Sequence, residues 1–150
     1  MSRVKDFAIS QQLLSVKPED SALDAARLMT RQHVGAVLVL QEGHLLGLFS
    51  ERDLMSRVIS AGLRPEATRI DQVMTANPVV VDSDTTAEQC LRLMNQIRCR
   101  HLPVMADGKP IGMVSIRDLM LHRLREKDAE IQMMRAFIND VPPSTPKTSV

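Results

Sequence analysis

Gly47-Leu-Phe-Ser-Glu-Arg-Asp-Leu-Met55 returns 65 residues later as Gly112-Met-Val-Ser-Ile-Arg-Asp-Leu-Met120, and that recurrence governs the reading of everything around it. At the same offset, residues 16–59 lie over 81–124 without a gap, and 13 of the 44 positions are identical. Unrelated sequences of ordinary composition would share about three. Arg27-Leu28-Met29 falls on Arg92-Leu93-Met94, and Gly43 falls on Gly108. The chain is a duplication of one unit, written twice.

Each copy carries the same succession of signals. A short β-prone piece (13–16; 79–81) leads to a helix start marked by Ser21-x-x-Asp24 in the first copy and by Thr85-x-x-Glu88 in the second, both of capping-box form. Ala25, Ala26, Leu28 and Met29, matched by Cys90, Leu91, Leu93 and Met94, form the stripe of a helix with one buried face. Two apolar runs joined by a turn follow (34–40 and 45–49; 102–105 and 111–114), with Gly43 or Gly108 where a hairpin needs positive φ. A second helix is expected over 51–60 and 116–125. The order is β-α-β-β-α, and the unbroken apolar run Val37-Leu-Val-Leu40 implies strands covered on both faces. A unit of about fifty residues hardly achieves that alone. The expected fold class is mixed α/β (α+β), with two β-α-β-β-α units packed with pseudo-twofold symmetry. The expected divisions are unit one over 8–62, a connector over 63–77, unit two over 78–125, a C-terminal helix over 126–141 and a flexible tail over 142–150, where Pro142, Pro143 and Pro146 stand among Ser and Thr.

Composition narrows the function classes. The 150 residues hold 44% apolar side chains and 19 basic against 18 acidic ones, a balance that argues against phosphate neutralisation on nucleic acid. With no Trp, no Tyr and only Phe7, Phe49 and Phe137, the chain has almost nothing on which to stack bases. No apolar run approaches a bilayer span and no signal peptide is evident, so neither membrane nor nucleic acid is an expected partner and a cytoplasmic location is. Cys90 and Cys99 are then expected as free thiols. His33, His44, His101 and His122 are scattered without metal-ligand spacing, so no metal site is expected.

The sharpest local pattern is Gly47-x-x-Ser50-x-x-Asp53 and its twin Gly112-x-x-Ser115-x-x-Asp118, each at a strand-to-helix junction. One account is purely structural: Ser caps the helix, Asp complements its dipole, and Gly lets a neighbouring segment cross. That leaves Arg52 and Arg117 unexplained. A helix N-terminus with a hydroxyl and an Arg suits a phosphate, and a carboxylate one turn in can accept from both hydroxyls of a vicinal diol. Ser, Arg and Asp together therefore suit a ribose phosphate. An apolar slot for a base is available at Val34-Gly35-Ala36 and at Cys99-Arg100-His101-Leu102.

With the repeat, the β-α-β-β-α order, the doubled Gly-x-x-Ser-x-x-Asp and Arg100-His101-Leu102-Pro103-Val104, the chain resembles a tandem cystathionine-β-synthase (CBS) domain pair, or Bateman module. Its first half, with Ser15-Val16, His33-Val34-Gly35-Ala36 and Phe49-Ser-Glu-Arg-Asp53, is similar to the small stand-alone bacterial proteins of that family, and no effector domain is expected in this chain. The resemblance implies regulatory binding of AMP, ADP, ATP, NAD or S-adenosylmethionine, with no required cofactor and no catalysis. It also implies that Asp53 and Asp118 bind ribose hydroxyls and that Ser50 and Ser115 lie near phosphate or ribose. Arg52, Arg117, Arg100 and His101 are the candidates for phosphate charge. Base contacts would come from Leu14, Ser15, Val34, Gly35 and Ala36 in one cleft, and from Val79, Val80, Cys99, Arg100, His101 and Leu102 in the other. The first cleft lacks the basic pair of the second, so the two are not expected to be equivalent.

Two other readings stand beside this one. In the first, the chain is a ligand-independent assembly module whose Ser and Asp only cap helices. Apolar faces through Leu54, Met55, Val58, Ile59, Leu119, Met120 and Leu124 would then make a homodimer or dock an effector protein; CBS pairs characteristically dimerise through such helices, so a homodimer is expected under either reading. An enzyme would need a base, a nucleotide-binding Gly-rich loop or a metal site, and no pattern for one is present.

Overall fold

The computed structural model describes residues 2–8 and 13–140; the expected tail over 142–150 and part of the start of unit one lie outside the described residues. Both copies build a sheet, and both sheets fall within the compact unit that runs up to Ile116. The first sheet has the order β1-β2-β3-β4, formed by Ser15–Val16, Ala36–Gln41, His44–Ser50 and Thr75–Ala76. The second has the order β5-β6-β7, formed by Val81–Asp82, His101–Ala106 and Lys109–Ser115. In each, the outer strand pairs parallel to the middle one and the hairpin partner pairs antiparallel. A register shift falls between Val39 and Leu40 in one hairpin and between Val104 and Met105 in the other, again 65 residues apart. Gly43 and Gly108 have φ of +79° and +74°, as the hairpins require. Glu42 and Asp107 before them are also left-handed, so each turn has the doubly positive φ that matches the twist of its strands.

The helices are α1 (Lys5–Ala8), α2 (Ala22–Gln32), α3 (Glu51–Asp53), α4 (Ile70–Val73), α5 (Ala87–Ile97) and α6 (Ile116–Asp140). Ser21 caps α2, its hydroxyl accepting from the Asp24 N–H. The second capping box is not Thr85 with Glu88. It is Thr86 with Gln89, where both reciprocal bonds are made. The repeat offset places Ser21 on Thr86, and this register turns Cys90 and Met94 fully into the core. After α3 the chain widens into a π-helical stretch, Leu54–Ile59, in place of the expected α-helix. There the Ser60 N–H reaches the Met55 carbonyl and the Leu63 N–H reaches that of Val58, while Val58 is completely buried.

The middle strand β2 is covered on both faces, as its composition requires. Val37 and Val39 point with Phe49 into a cluster closed by Ala22, Ala25 and Met29 of α2 and by Ile70 and Val73 of α4. Ala36 and Leu38 point the other way with Leu48 and meet Met113 of β7, so the two sheets pack face to face through residues of both copies.

The duplication reaches further than the 65-residue register. For the first copy, the Ala22 N–H bonds to the Thr68 carbonyl, the Ile70 N–H to that of Asp20, and the Asp71 N–H to that of Pro18. For the second, the Ala87 N–H bonds to the Ser2 carbonyl, the Val4 N–H to that of Thr85, and the Lys5 N–H to that of Ser83. Residues 2–8 therefore strap the second copy as 68–74 strap the first, with Val4 and Ile70 each completely buried. Each strap lies immediately before one copy in sequence and packs on the other. The expected connector over 63–77 holds a 3₁₀ turn, Pro65–Ala67, as well as α4 and β4.

The straps explain the repeated glycine. A Cβ on Gly47 would lie 2.7 Å from the Thr75 carbonyl oxygen and 2.6 Å from Met74 Sδ, and one on Gly112 would lie 2.8 Å from the Ala8 carbonyl oxygen. Neither backbone oxygen can yield without displacing β4, in the first case, or the strap over 2–8, in the second. Gly47→Ala should accordingly cost about 1–3 kcal/mol, read as a lower urea midpoint with an unchanged slope.

Candidate functional site

A cavity of about 720 Å³ opens beside the first strand-to-helix junction, within the range of about 300–1,000 Å³ usual for small-molecule sites. One wall is Leu48, Ser50, Glu51, Arg52, Asp53 and Met55 from the first copy. The facing wall is Pro78, Val79, Ile97, Arg98, Cys99, Arg100, His101 and Leu102, with Thr75 of β4 between them. The site is thus assembled from both copies.

The position of Asp53 follows from the local fold. Ser50 leaves β3 extended and becomes the cap of α3, its hydroxyl accepting from the Asp53 N–H at 3.2 Å. Asp53 Oδ2 accepts from the Ser50 N–H at 3.0 Å and from the Ser50 hydroxyl at 3.1 Å. The carboxylate is therefore oriented by a full capping box, and Asp53 is 8% exposed. Among the described residues, its other oxygen, Oδ1, has only the long approaches of the Thr75 hydroxyl at 3.4 Å and Arg57 Nε at 3.6 Å. Oδ1 thus keeps acceptor capacity on the side of a carboxylate that lines the cavity. Arg57 also donates to the Met74 carbonyl at 2.8 Å, tying the helix to the strap beside Thr75.

On the facing wall, α5 ends at Arg98, whose left-handed φ of 56° and N–H to the Met94 carbonyl close the helix. The Cys99 N–H returns to the same carbonyl. This turn lays residues 99–102 along the cavity and carries Arg98 and Arg100 to its edge. Three arginines and His101 stand against Glu51 and Asp53 there, a cationic excess suited to a phosphate. Pro78, Val79, Ile97 and Leu102 supply an apolar surface. Among the described residues, no group of three or more His, Cys, Asp or Glu could hold a metal ion, and no helix is long and apolar enough to cross a membrane.

Eight of the residues anticipated from sequence line this cavity: Ser50, Arg52, Asp53, Val79, Cys99, Arg100, His101 and Leu102. They come together across the two copies. Leu14, Ser15, Val34, Gly35, Ala36, Val80 and Ser115 are not among its lining residues. Leu14 and Ser15 serve the β1–β2 pairing, and the Val34 N–H bonds to the Met29 carbonyl at the end of α2. The Gly35 carbonyl accepts from the Glu51 N–H, and a Cβ there would lie 3.4 Å from His101 Cε1. Ala36 pairs with Ser50 and Ser115 with His101. Arg117 and Asp118 belong to the second compact unit, in the first turn of α6.

The pattern of the CBS domain family matches residues 4–60 and again 70–125. This chain belongs to the CBS domain family. It is 38% identical over 130 residues to the CBS domain-containing protein CBSCBSPB2 of Arabidopsis thaliana, covering 85% of this chain and 24% of that one. It is 31% identical over 129 residues to the CBS domain-containing protein YhcV of Bacillus subtilis, covering 86% of this chain and 91% of that one. Among solved structures, CBSX2 in complex with AMP matches with a TM-score of 0.72 and 31% identity, covering 85% of this chain and 99% of that one. The chain thus spans about a quarter of CBSCBSPB2 and nearly all of YhcV. The tandem CBS pair and its mixed α and β class stand as the sequence suggested.

Sequence reasoning overlooked Thr75, Ile97 and Arg98 in this CBS cavity. The 65-residue offset was a usable signal for Arg98, because it lies over His33 and both end their helices in the left-handed conformation. Thr75 sat in what read as connector. Burial pushes the Cys90 thiol up to about 11 and the Cys99 thiol in the same direction, so both are mostly protonated at neutral pH. Cys99 is half-buried on the cavity wall and Cys90 is fully buried. Iodoacetamide should therefore label Cys99 first, faster as pH rises, with the two sites followed by peptide mass spectrometry.

Proposed function

We propose that the chain is a regulatory module whose cavity binds an adenine nucleotide without turning it over. The observation that carries this reading is the Asp53 carboxylate, fixed by its capping box at a cavity wall with acceptor capacity left on Oδ1. In this reading Asp53 takes the ribose hydroxyls, helped by Ser50 and Thr75. Arg52, Arg98, Arg100 and His101 meet phosphate, and the base lies against Val79, Ile97 and Leu102. AMP is the first ligand to test, because CBSX2, similar over 85% of this chain, has been solved with AMP; ADP, ATP, NAD and S-adenosylmethionine share the adenosine group. Leu14, Ser15, Val34, Gly35 and Ala36 are proposed as base contacts of a second, weaker cleft, Val80 as a base contact beside Val79, and Ser115 as lying near phosphate or ribose. The offset gives Arg117 and Asp118 the chemistry of Arg52 and Asp53.

A ligand held between walls from both copies binds best at one spacing of those walls, and so shifts the population of that spacing. That is how occupancy would be reported to an effector protein. The capping box favours a competing account, in which Ser50 and Asp53 serve helix stability alone and the chain acts by assembly. Thermal melting with each nucleotide separates the two. At a hundred times the dissociation constant, a ligand adds about 2.7 kcal/mol, a rise of several degrees for a chain of this size. A rise with adenosine-containing ligands, absent with guanosine ones, is expected; no rise with any of them leaves the assembly account. Asp118→Ala tests whether the second copy's pattern contributes.

A further inference from the structure

The 25-residue helix α6 is about 37 Å long at 1.5 Å per residue, and it carries a feature that nucleotide binding does not use. Met120, Leu124, Lys127, Ile131, Met134 and Ile138 follow one another at alternating spacings of four and three, a heptad seam with 124, 131 and 138 at one set of core positions and 120, 127 and 134 at the other. The apolar members are all exposed, from 46% at Ile131 to 68% at Ile138. A seam of this period is shaped to receive another helix of the same period.

The charges beside the seam indicate which helix. In a parallel in-register pair, each residue preceding a core position on one helix faces the residue five further along on its partner. Here that sets Arg123 against Asp128 and Glu130 against Arg135, opposite signs at both places, and symmetry makes each pair occur twice. Ile131 and Ile138 are β-branched residues at the positions where two-stranded parallel coils favour them. Residues 120–140 carry four Lys or Arg and four Asp or Glu, unlike the basic polar face of a helix lying on a membrane surface. Lys127 is the one charged residue in the seam. It reaches Glu130 at 3.4 Å along its own helix, so its ammonium leaves the seam beside an acid.

We propose that α6, from Met120 onward, pairs with its counterpart in a second copy of this chain as a parallel, in-register coiled coil. The pairing is independent of whether the cavity binds a nucleotide. Lys127 lowers its strength and disfavours shifted registers, as single polar residues in such seams do, which makes the association reversible.

The test uses the full chain. Ile131→Cys puts a thiol where the two helices face each other at the same residue, and mild oxidation should yield a covalent dimer within minutes. Met133→Cys, exposed but outside the seam, should yield much less, and the native thiols none. In sedimentation equilibrium, Glu130→Arg and Arg135→Glu should each weaken dimerisation several-fold, the double variant should restore it, and Lys127→Leu should strengthen it about tenfold. A chain that stays monomeric, a dimer in which Ile131→Cys crosslinks no better than Met133→Cys, or a double variant no stronger than either single one would overturn the proposal.

Discussion

Asp53→Ala should abolish detectable AMP binding while leaving a folded protein. In the proposed binding mode the substitution removes the charged acceptor for two ribose hydroxyls. Hydrogen bonds to charged groups contribute about 1.5–3 kcal/mol each, so affinity should fall at least about a hundredfold. The capping box goes with it, since the Ser50 N–H and hydroxyl both use Oδ2, at a cost of about 0.5–2 kcal/mol in stability. Asp53→Asn separates the two effects. An amide oxygen can still accept from the Ser50 N–H, so stability should largely return, whereas a neutral acceptor should recover little affinity. Calorimetric titration, on samples whose helical signal is native, checks both variants. Binding by Asp53→Ala at wild-type strength would reduce the residue to a helix cap.

The largest purely structural effect should come from the strap. Ile70→Ala empties a completely buried site where α4 closes the cluster of Val37, Val39 and Phe49. Large-to-small substitutions at such sites cost about 2–5 kcal/mol, a large part of the stability of a domain this size. The change should also reach the cavity. The Met74 N–H bonds to the Ile70 carbonyl, and Thr75 beside it approaches Asp53. Urea unfolding gives the stability loss, and AMP titration below the transition should show weaker binding as well. Ile70→Val, which keeps most of the volume, should cost about 0.5–1.5 kcal/mol.

The duplicated stretch around Ser50 and Ser115 was enough to read the β-α-β-β-α order, the hairpin glycines and the two-faced burial of β2. Those features depend on local periodicity and turn chemistry, which a single sequence carries. The straps were not legible. Residues 2–8 and 68–74 share Arg3 with Arg69 and the apolar pair Val4 and Ile70, but at an offset of 66, one residue out of the main register, and their helices have only four residues each. Thr86 was misplaced by one position because Thr85 with Glu88 and Thr86 with Gln89 satisfy the same pattern. The choice between them is made by which residues α5 buries.

The candidate residues were legible one by one, but which of them share a cavity was not. Ser50, Arg52 and Asp53 stood out as candidates for phosphate and ribose, and Cys99 to Leu102 as a candidate base slot, and all of them line the cavity. That the first set faces the second across one cavity depends on the packing of β3 against β7, a long-range contact with no local signature. Arg98 and Thr75 reach the cavity for the same reason.

In the proposed binding mode, residues of both copies hold one adenine nucleotide. Amide hydrogen exchange of the nucleotide-free protein, with and without saturating AMP, tests it most directly. The account predicts slowed exchange in two separate segments, 50–54 and 98–102, and loss of both protections in Asp53→Ala. Protection confined to one segment, or found in neither, would contradict it.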